Sequence, residues 1–422
     1  MTDADSELAR QLRPPAAEPS RRSPFAWRVA RQAARSRGDA PDSARDELLA
    51  RIAGGSPTTG NRARLFFEGR VATRVMLDAL ASAQREILLE SYIFADDATG
   101  RSFADELIAA AGSGVEVRVL ADAFGSLWTG SAFWQRLRDG GIQVLQFRPL
   151  FDADGWQPYR DHRKILVVDR RIAFTGGMNV ADEYASFRRG VPLAPDSMRD
   201  THVSVEGAAA WDMTAVFAEG WRAAGGGALK DWAPPRAAAG EVRVLVLSSR
   251  PGRGYVETAA VLAALVATAR ERVWITVGYF APHRRALSSL CEGARRGLDV
   301  RLLLPGRTDV PLVRHAGHAS FGLLLESGVR LFEYRSAVLH AKTMVVDRSV
   351  SVVGSSNLDF RSFRYNAECN LVLLDRGCAE RLAAAFTEDL EASGELDLAA
   401  WRERNPLHRA ADGAAGLLTP IL

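Results

Sequence analysis

The chain has 422 residues, 47% of them hydrophobic and 25% charged, with a formal net charge of +3. This length allows two domain-sized cores, and the composition is that of an ordinary globular protein rather than a fibrous or disordered chain. The small net charge does not indicate a nucleic-acid binder. There are three cysteines, Cys291, Cys369 and Cys378, and they lack metal-ligand spacing. Their odd number argues against a disulfide framework and favours a reducing compartment.

The N-terminal residues 1–60 are predicted to form an appended, partly disordered arm rich in Arg, Ala, Pro and Ser. Within it, residues 25–37 carry Trp27 and four arginines. Such a basic amphipathic segment can lie on anionic lipid, but a solvated arm is the interpretation we favour. The acidic start lacks an apolar core, so no cleaved signal peptide is expected. The longest nearly apolar run, 259–269, is about half of the roughly 20 residues that a membrane-spanning helix needs.

From residue 61 onwards the hydrophobic spacing predicts alternating helices and strands, which indicates an α/β layer architecture. In the first half we predict helices over 71–83, 103–111 and 133–138, and strands over 87–94, 115–121 and 142–147. The second half repeats this order, with helices over 258–270, 287–295 and 321–326, and strands over 273–280, 300–304 and 329–334.

The repeat, near 180 residues, is too long for a solenoid and indicates duplication of a whole domain. Residues 223–240 are rich in Gly, Ala and Pro and are the predicted linker. We therefore expect a first lobe over 61–222, a second lobe over 241–405 and a C-terminal tail over 406–422.

One motif occurs in both halves with every offset preserved. The first copy contains His162, Lys164, Asp169, Gly176-Gly177 and Asn179, and the second contains His340, Lys342, Asp347, Gly354-Ser355-Ser356 and Asn357. In a β-strand, residues two apart share a face, so each histidine is expected to project with its lysine. A single HxK pair is common by chance, whereas two matched copies in one chain indicate a shared function.

These residue types suit a phosphate group. The lysines would place positive charge on non-bridging oxygens, and the glycine-containing loops with Asn179, Ser355 and Asn357 are predicted to bind phosphate. One neutral imidazole can attack phosphorus while the other, protonated, gives a proton to the leaving alkoxide. The sequence does not decide which histidine attacks phosphorus.

Two acids follow the motifs at matching places, and we predict that they orient the histidines. Asp200 follows the first motif and Glu368 the second. A surface ion pair is an equally weighted alternative for both. Asp169 and Asp347 could instead be turn formers, because aspartate favours such positions.

Other aromatic and histidine residues are given no chemistry. Core or rim positions are favoured over lipid-tail contacts for Trp128, Phe133, Trp134 and Trp156. The histidines outside an HxK context are His202, His283, His315 and His318.

With both HxKxxxxD motifs in place, the chain resembles the phospholipase D superfamily, and within it the bacterial cardiolipin synthases. The resemblance covers about 61–404. Further matching segments are Glu90-Ser91-Tyr92-Ile93-Phe94, Asn179-Val180-Ala181-Asp182-Glu183-Tyr184, Arg199-Asp200-Thr201-His202, Ser356-Asn357-Leu358-Asp359, Arg361-Ser362 and Asp389-Leu390.

The resemblance implies duplicated α/β/α sandwich lobes, each with a mixed sheet, related by a pseudo-two-fold axis, with the active site at the lobe interface. It also implies metal-independent phosphatidyl transfer through phosphohistidine, so no metal or cofactor is expected. His162, Lys164, Asp169, His340, Lys342 and Asp347 would be the catalytic residues.

The implied substrates are phospholipids, with phosphatidylglycerol as the favoured acceptor. The paired N-terminal membrane spans of one cardiolipin synthase group are not found, which favours peripheral contact with an anionic membrane, at its cytoplasmic face. Nucleic acid is not an expected partner, and no oligomeric state is predicted. A hydrolase or nuclease of the same superfamily, or an inactive scaffold, are the alternatives.

Overall fold

The computed structural model describes residues 42–148, 151–152, 155–156, 158–188, 197–233, 238–250, 255–308 and 310–419. The side chains of 151–152, 155–156 and 255–257 are not described. The basic segment at 25–37 and the side chain of Trp156 therefore lie outside the described part.

The first half alternates helices and strands as predicted. Its helices are α1 (Asp42–Ala53), α2 (Gly69–Ala81), α3 (Ala98–Gly112), α4 (Ser131–Asp139), α5 (Asp182–Ala185) and α6 (Ala208–Ala223). Its strands are β1 (Thr58–Phe66), β2 (Glu86–Ser91), β3 (Glu116–Asp122), β4 (Gln143–Phe147), β5 (Phe151–Asp152), β6 (Gly155–Trp156), β7 (Arg160–Asp161), β8 (Ile165–Val168), β9 (Ile172–Gly176), β10 (Met198–Arg199) and β11 (His202–Glu206).

The second half repeats the same order. Its helices are α7 (Tyr255–Thr268), α8 (Arg284–Arg295), α9 (Pro311–Glu326), α10 (Phe360–Arg364), α11 (Arg376–Glu391), α12 (Leu398–Arg402) and α13 (Pro406–Gly416). Its strands are β12 (Val242–Ser249), β13 (Arg272–Thr276), β14 (Phe280–Ala281), β15 (Asp299–Pro305), β16 (Arg330–Tyr334), β17 (Val338–Leu339), β18 (Thr343–Val346), β19 (Val350–Gly354), β20 (Leu358–Asp359), β21 (Asn366–Leu374) and β22 (Ser393–Glu395).

The largest error in a predicted helix concerns the one placed over 321–326. Helix α9 begins ten residues before the predicted start at 321, with Pro311 in its first turn. Proline suits this position because the first amide of a helix needs no acceptor. The polar residues and glycine that follow conceal the apolar spacing in the sequence.

The two halves carry the same mixed sheet. The strand order is β4-β3-β2-β8-β9-β11-β1 in the first half and β16-β15-β13-β18-β19-β21-β12 in the second. In each half the first three strands are parallel and the others antiparallel. The equivalent strands β1 and β12 pair antiparallel, which suits a two-fold relation and joins the halves into one continuous sheet.

Helices cover both faces of this sheet. One core lies under α2, α3 and α4 in the first half, and another under α7, α8 and α9 in the second. On the opposite face, a third core draws residues from both halves, under α6 and α11. Because α6 also contacts β12 and α11 also contacts β1, this shared core fixes the halves relative to each other.

Both predicted terminal appendages contain ordered helices. Helix α1, inside the predicted arm, buries Leu49 and Ile52 in the core of the second half. Near the C-terminus, α13 packs against α9, where buried Asp412 accepts hydrogen bonds from His315 Nδ1 at 2.7 Å and Arg404 at 2.8 Å. Among the described helices, none has the length and apolar character required to cross a bilayer.

Candidate active site

Short parallel pairings between the halves position the two HxK segments. Strand β7 pairs with the start of β21, and the His162 amide donates to Ala367 O at 2.9 Å. In the same way, β17 pairs with β10, and the His340 amide donates to Arg199 O at 2.8 Å. Each histidine therefore follows directly from a strand that is hydrogen-bonded to the opposite half.

This backbone pairing brings each histidine to the acid of the other half. His162 Nδ1 lies 3.1 Å from both carboxylate oxygens of Glu368. His340 Nδ1 lies 2.7 Å from Asp200 Oδ2. All four side chains are buried, so these contacts are shielded from water. The sequence suggested the two acids but did not show that the pairing is crosswise.

The lysines occupy different positions from those predicted. The regular strands begin only at Ile165 and Thr343, after each lysine, because the preceding residues turn towards the opposite half. Lys164 Nζ donates to His162 O at 2.7 Å, and Lys342 Nζ donates to His340 O. Both lysines are buried, and their positive charge lowers the pKa of both site histidines.

The histidines line one cleft of about 370 Å³ between the halves. Two arginines, three asparagines and three tyrosines are among the other residues that line it (Arg160, Arg361, Asn179, Asn357, Asn366, Tyr92, Tyr184 and Tyr279). The Oδ1 atoms of Asn179 and Asn357 each accept a backbone amide at 3.2 Å, from Ile93 and Tyr279 respectively. That contact fixes the carboxamides with equivalent orientations in the two halves. Their phosphate-binding role stays a prediction.

Ser355 does not lie on this cleft, contrary to the predicted phosphate contact. Its side chain is fully buried and donates to Glu368 Oε2, and it accepts the Cys369 amide at 3.0 Å. It therefore orients the acid that holds His162. The equivalent residue in the first half is Gly177, where an added Cβ would lie 2.2 Å from Asp200 Oδ1.

Asp169 and Asp347 are not in the cleft either, and we correct their predicted catalytic role. Each follows the far end of its motif strand with φ of 52°, in the left-handed region. Asp169 accepts the backbone amides of 84–86, and Asp347 those of 270–272. They tie the hairpin turns to the start of the neighbouring strand, which is the turn-forming alternative raised from the sequence.

Burial lowers the pKa of both site imidazoles. The pKa of His162 lies well below its ordinary value, through burial and then the charge of Lys164. The pKa of His340 falls to about 4 for the same two kinds of reason, although Asp200 opposes the change. Both imidazoles are therefore neutral at neutral pH, and His340 is the one whose protonated form a carboxylate supports.

The two acids respond differently to similar burial. Burial raises the pKa of Glu368 from 4.5 to about 7, against the opposing charge of Lys164. Burial also raises the pKa of Asp200, but the charge and hydrogen bond of His340 outweigh it, and the result lies below the ordinary value. Asp200 is therefore ionised at neutral pH, while Glu368 retains a proton for part of the time.

The arginines and tyrosines of the cleft were not predicted as site residues. Arg160 and Arg361 were near recognised segments, the first two residues before His162 and the second within a segment quoted for the resemblance. Arg160 donates to Arg148 O and Arg361 to Pro158 O. No sequence pattern predicts these contacts. The tyrosine rings lie edge-on to the histidines, with Tyr92 5.0 Å from His162 and Tyr184 5.3 Å from His340.

Two copies of one α/β half, with an HxK histidine from each on a shared cleft, define a protein of the phospholipase D type. Comparison with protein families matches the model described as cardiolipin synthase, PLD-like domain, over residues 76–189 and 262–390, together more than half of the chain. The chain belongs to this family.

Named relatives match over most of the chain. Cardiolipin synthase of Alkalihalophilus pseudofirmus is 32% identical over 386 residues, covering 89% of this chain and 76% of the relative. Cardiolipin synthase A of Pseudomonas syringae pv. syringae is 34% identical over 376 residues, covering 86% and 75%. Cardiolipin synthase 1 of Bacillus anthracis is 31% identical over 390 residues, covering 89% and 75%.

Solved structures share the fold at lower identity. Phosphatidylserine synthase of Haemophilus influenzae matches with a TM-score of 0.67 and 14% identity, over 89% of this chain and 100% of that one. Polyphosphate kinase of Porphyromonas gingivalis matches with a TM-score of 0.54 and 14% identity, over 88% and 55%. The phospholipase D-type fold predicted from the repeated motif is confirmed.

Proposed function

We propose that the protein transfers a phosphatidyl group from one phospholipid to a hydroxyl of phosphatidylglycerol, which yields cardiolipin, through a phosphohistidine intermediate. The observation that carries this proposal is the pair of buried imidazoles on one cleft, each bonded through Nδ1 to an acid of the opposite half. With Nδ1 engaged, Nε2 of each ring is the nitrogen left for the phosphorus or the leaving oxygen.

We assign His162 as the nucleophile and His340 as the acid. In the first step, the anionic phosphate of the bound lipid favours the protonated form of His340. His162 Nε2 then forms a bond to phosphorus, the bond from phosphorus to the leaving oxygen breaks, and His340 gives that oxygen its Nε2 proton. In the second step, His340 takes the proton of the acceptor hydroxyl, whose oxygen displaces His162. The assignment rests on Asp200, which is ionised and hydrogen-bonded to His340 at 2.7 Å, because an anion stabilises the imidazolium.

The charge on the transferred phosphate needs donors fixed in place before the reaction. Arg160 and Arg361 line the cleft, one from each half, and Asn179 and Asn357 present their carboxamides there. We propose that these four side chains contact the non-bridging oxygens. Lys164 and Lys342, which are buried beside the histidine carbonyls, contribute positive charge to the site.

The substrates in this proposal are bilayer lipids, so the protein works at a membrane surface. We propose that it binds peripherally, at the cytoplasmic face.

The test uses purified full-length protein with phosphatidylglycerol vesicles, and products are identified by mass spectrometry. The expected products are cardiolipin and glycerol in equal amounts. Phosphatidic acid without cardiolipin would instead identify a hydrolase. A parallel assay with DNA addresses nuclease activity, and cleavage there without lipid turnover would contradict the proposal. Asp169→Asn, a substitution outside the cleft, is the matched control for variants of the histidines.

A further inference from the structure

A loop after strand β3 exposes three large apolar side chains. Phe124 is 42% exposed, Leu127 52% and Trp128 93%, the highest value for a large hydrophobic residue in the described part of the chain. Core or rim positions were predicted for Trp128, Phe133, Trp134 and Trp156. Phe133 and Trp134 lie in the core, whereas Trp128 lies at the surface.

The exposure of Trp128 does not reflect a loosely held loop. Asp122 Oδ1 accepts the amides of Phe124 and Gly125 at 2.9 and 3.0 Å. At the other end, Trp134 Nε1 donates to Thr129 O at 3.1 Å. The backbone is thus fixed on both sides of the exposed residues, and the apolar side chains are presented on a firm support.

The second half exposes apolar residues at the equivalent place. Strand β15 occupies the position of β3 in the strand order, and the residues that follow it include Val310, 37% exposed, and Leu312, 44% exposed. We call these five residues, Phe124, Leu127, Trp128, Val310 and Leu312, the apolar rim. Both halves therefore contribute to it from the same topological position.

The apolar rim borders the mouth of the active-site cleft. The Arg160 guanidinium, which lines the cleft, lies 5.6 Å from the centre of the Phe124 ring. On the other side, Val310 itself lines the cleft. A phospholipid with its phosphate at the histidines must leave its acyl chains in an apolar phase beyond this mouth. Burying the rim in the same phase removes apolar surface from water.

Cations accompany these apolar side chains. Arg307, which is exposed, precedes Val310 by three residues, and Arg361 lines the cleft. Tryptophan beside basic residues is the composition of surfaces that bind the headgroup region of anionic bilayers. A protein partner would not explain why rim residues from both halves lie at a cleft for a lipid phosphate.

We propose that the apolar rim inserts into the headgroup region of an anionic bilayer and places the cleft mouth against the lipid, with Trp128 as its main anchor. This inference rests on the proposed function, since it takes the substrate to be a membrane lipid. It names the docking face, which family membership alone does not.

The test places an environment-sensitive fluorophore on a cysteine at this position. The native cysteines Cys291, Cys369 and Cys378 are buried, so Trp128→Cys offers a selectively reactive thiol. The control is Leu407→Cys on α13, where the native side chain is 77% exposed and does not line the cleft. With vesicles of phosphatidylcholine and phosphatidylglycerol, we expect a blue shift for the probe at 128 and none at 407.

Vesicle co-sedimentation measures the size of the effect. Trp128→Ala should lower the vesicle partition coefficient about tenfold, and adding Leu127→Ala should lower it further, while Leu407→Ala stays within about twofold of the parent. Sedimentation with vesicles while the probe at 128 stays in water would overturn the proposal, as would equal shifts at both positions. The fluorescence shift of the probe at 128 does not depend on catalysis. A blue shift there without cardiolipin synthesis would therefore contradict the proposed function but not the docking face.

Discussion

The two half-sites have the same motif spacing but differ in how they hold a proton. In one, His340 Nδ1 contacts a single oxygen of Asp200 at 2.7 Å, and the other oxygen accepts the Thr201 amide at 2.7 Å. In the other, His162 Nδ1 is equidistant from both oxygens of Glu368 at 3.1 Å. Only the first acid has a pKa below its ordinary value. The duplicated halves thus have the same backbone arrangement at the site, but the buried neighbours of each acid give the two acids different pKa values.

This difference in pKa suits the two roles that the proposed mechanism gives the histidines, proton donor and nucleophile. An acid that must hold a proton in one step and release it in the next needs a permanent anion beside it, and Asp200 provides one. A nucleophile needs a neutral ring, and the lowered pKa of His162 ensures it. If the halves were interchangeable, matched substitutions in them would have equal effects.

The largest effect is expected from the histidines. His162→Ala and His340→Ala should each reduce kcat by roughly 1,000-fold or more, and the double variant should be little worse, because the two act as a unit. A lipid with a nitrophenol headgroup separates their roles, because its leaving group needs no proton. That substrate should give His340→Ala, but not His162→Ala, a burst of one nitrophenol per active site, because the second step still needs His340 as the base. The reverse pattern would exchange the assignment.

A smaller effect should distinguish the two acids. Asp200→Asn should lower kcat by roughly 100-fold, because it removes the charge that supports the imidazolium. Glu368→Gln should cost roughly tenfold, because the native acid already carries a proton for part of the time at neutral pH. Steady-state rates with saturating lipid measure the difference. Equal losses would mean that the half-sites do not differ in proton affinity.

Substitutions of the residues that contact the two acids test how the position of each acid affects the rate. Gly177→Ala should lower kcat by roughly tenfold, because its Cβ would lie 2.2 Å from Asp200 Oδ1 and displace that carboxylate. Ser355→Gly creates the first half's residue in the second half and removes one hydrogen bond to Glu368, for a loss of roughly threefold. A larger loss in Ser355→Gly would indicate that Glu368, not Asp200, is the critical acid.

The smallest effect is on stability as a function of pH. The pKa of Glu368 is about 7 in the folded chain against an ordinary 4.5, so between these values the folded state holds a proton that the unfolded state has lost. Glu368 therefore makes the free energy of unfolding decrease as pH rises from 4.5 to 7, by up to about 1.4 kcal/mol per pH unit. Urea titrations of the parent and Glu368→Gln at several pH values should differ by this slope.

Asp200→Asn is the matched control for that measurement. The pKa of Asp200 lies below its ordinary 3.8, so its contribution is lost only as pH falls through more acidic values. The difference in slope that Glu368→Gln makes between pH 4.5 and 7 should therefore also appear when that substitution is made in Asp200→Asn. Its disappearance there would show that the two acids titrate as one group.

Most of the fold could be predicted because it depends on local spacing. The predicted strand over 115–121 corresponds to β3 at Glu116–Asp122, and the predicted helix over 287–295 to α8 at Arg284–Arg295. The duplication was visible because the motif repeats residue for residue. The helix α1 was not predicted, because its stability comes from Leu49 and Ile52 packing against residues some two hundred positions away.

At the candidate site, too, some features follow from the sequence and others only from tertiary contacts. The residue types and their offsets in the sequence determined the two histidines, their acids and the class of reaction, because phosphate chemistry requires that inventory. Only the tertiary structure decided that Glu368 holds His162 and Asp200 holds His340, since short strands cross between the halves just before each histidine. Tertiary contacts also removed Asp169, Asp347 and Ser355 from the cleft and made two equal motifs unequal, because burial and neighbouring charge set proton affinity, and spacing does not.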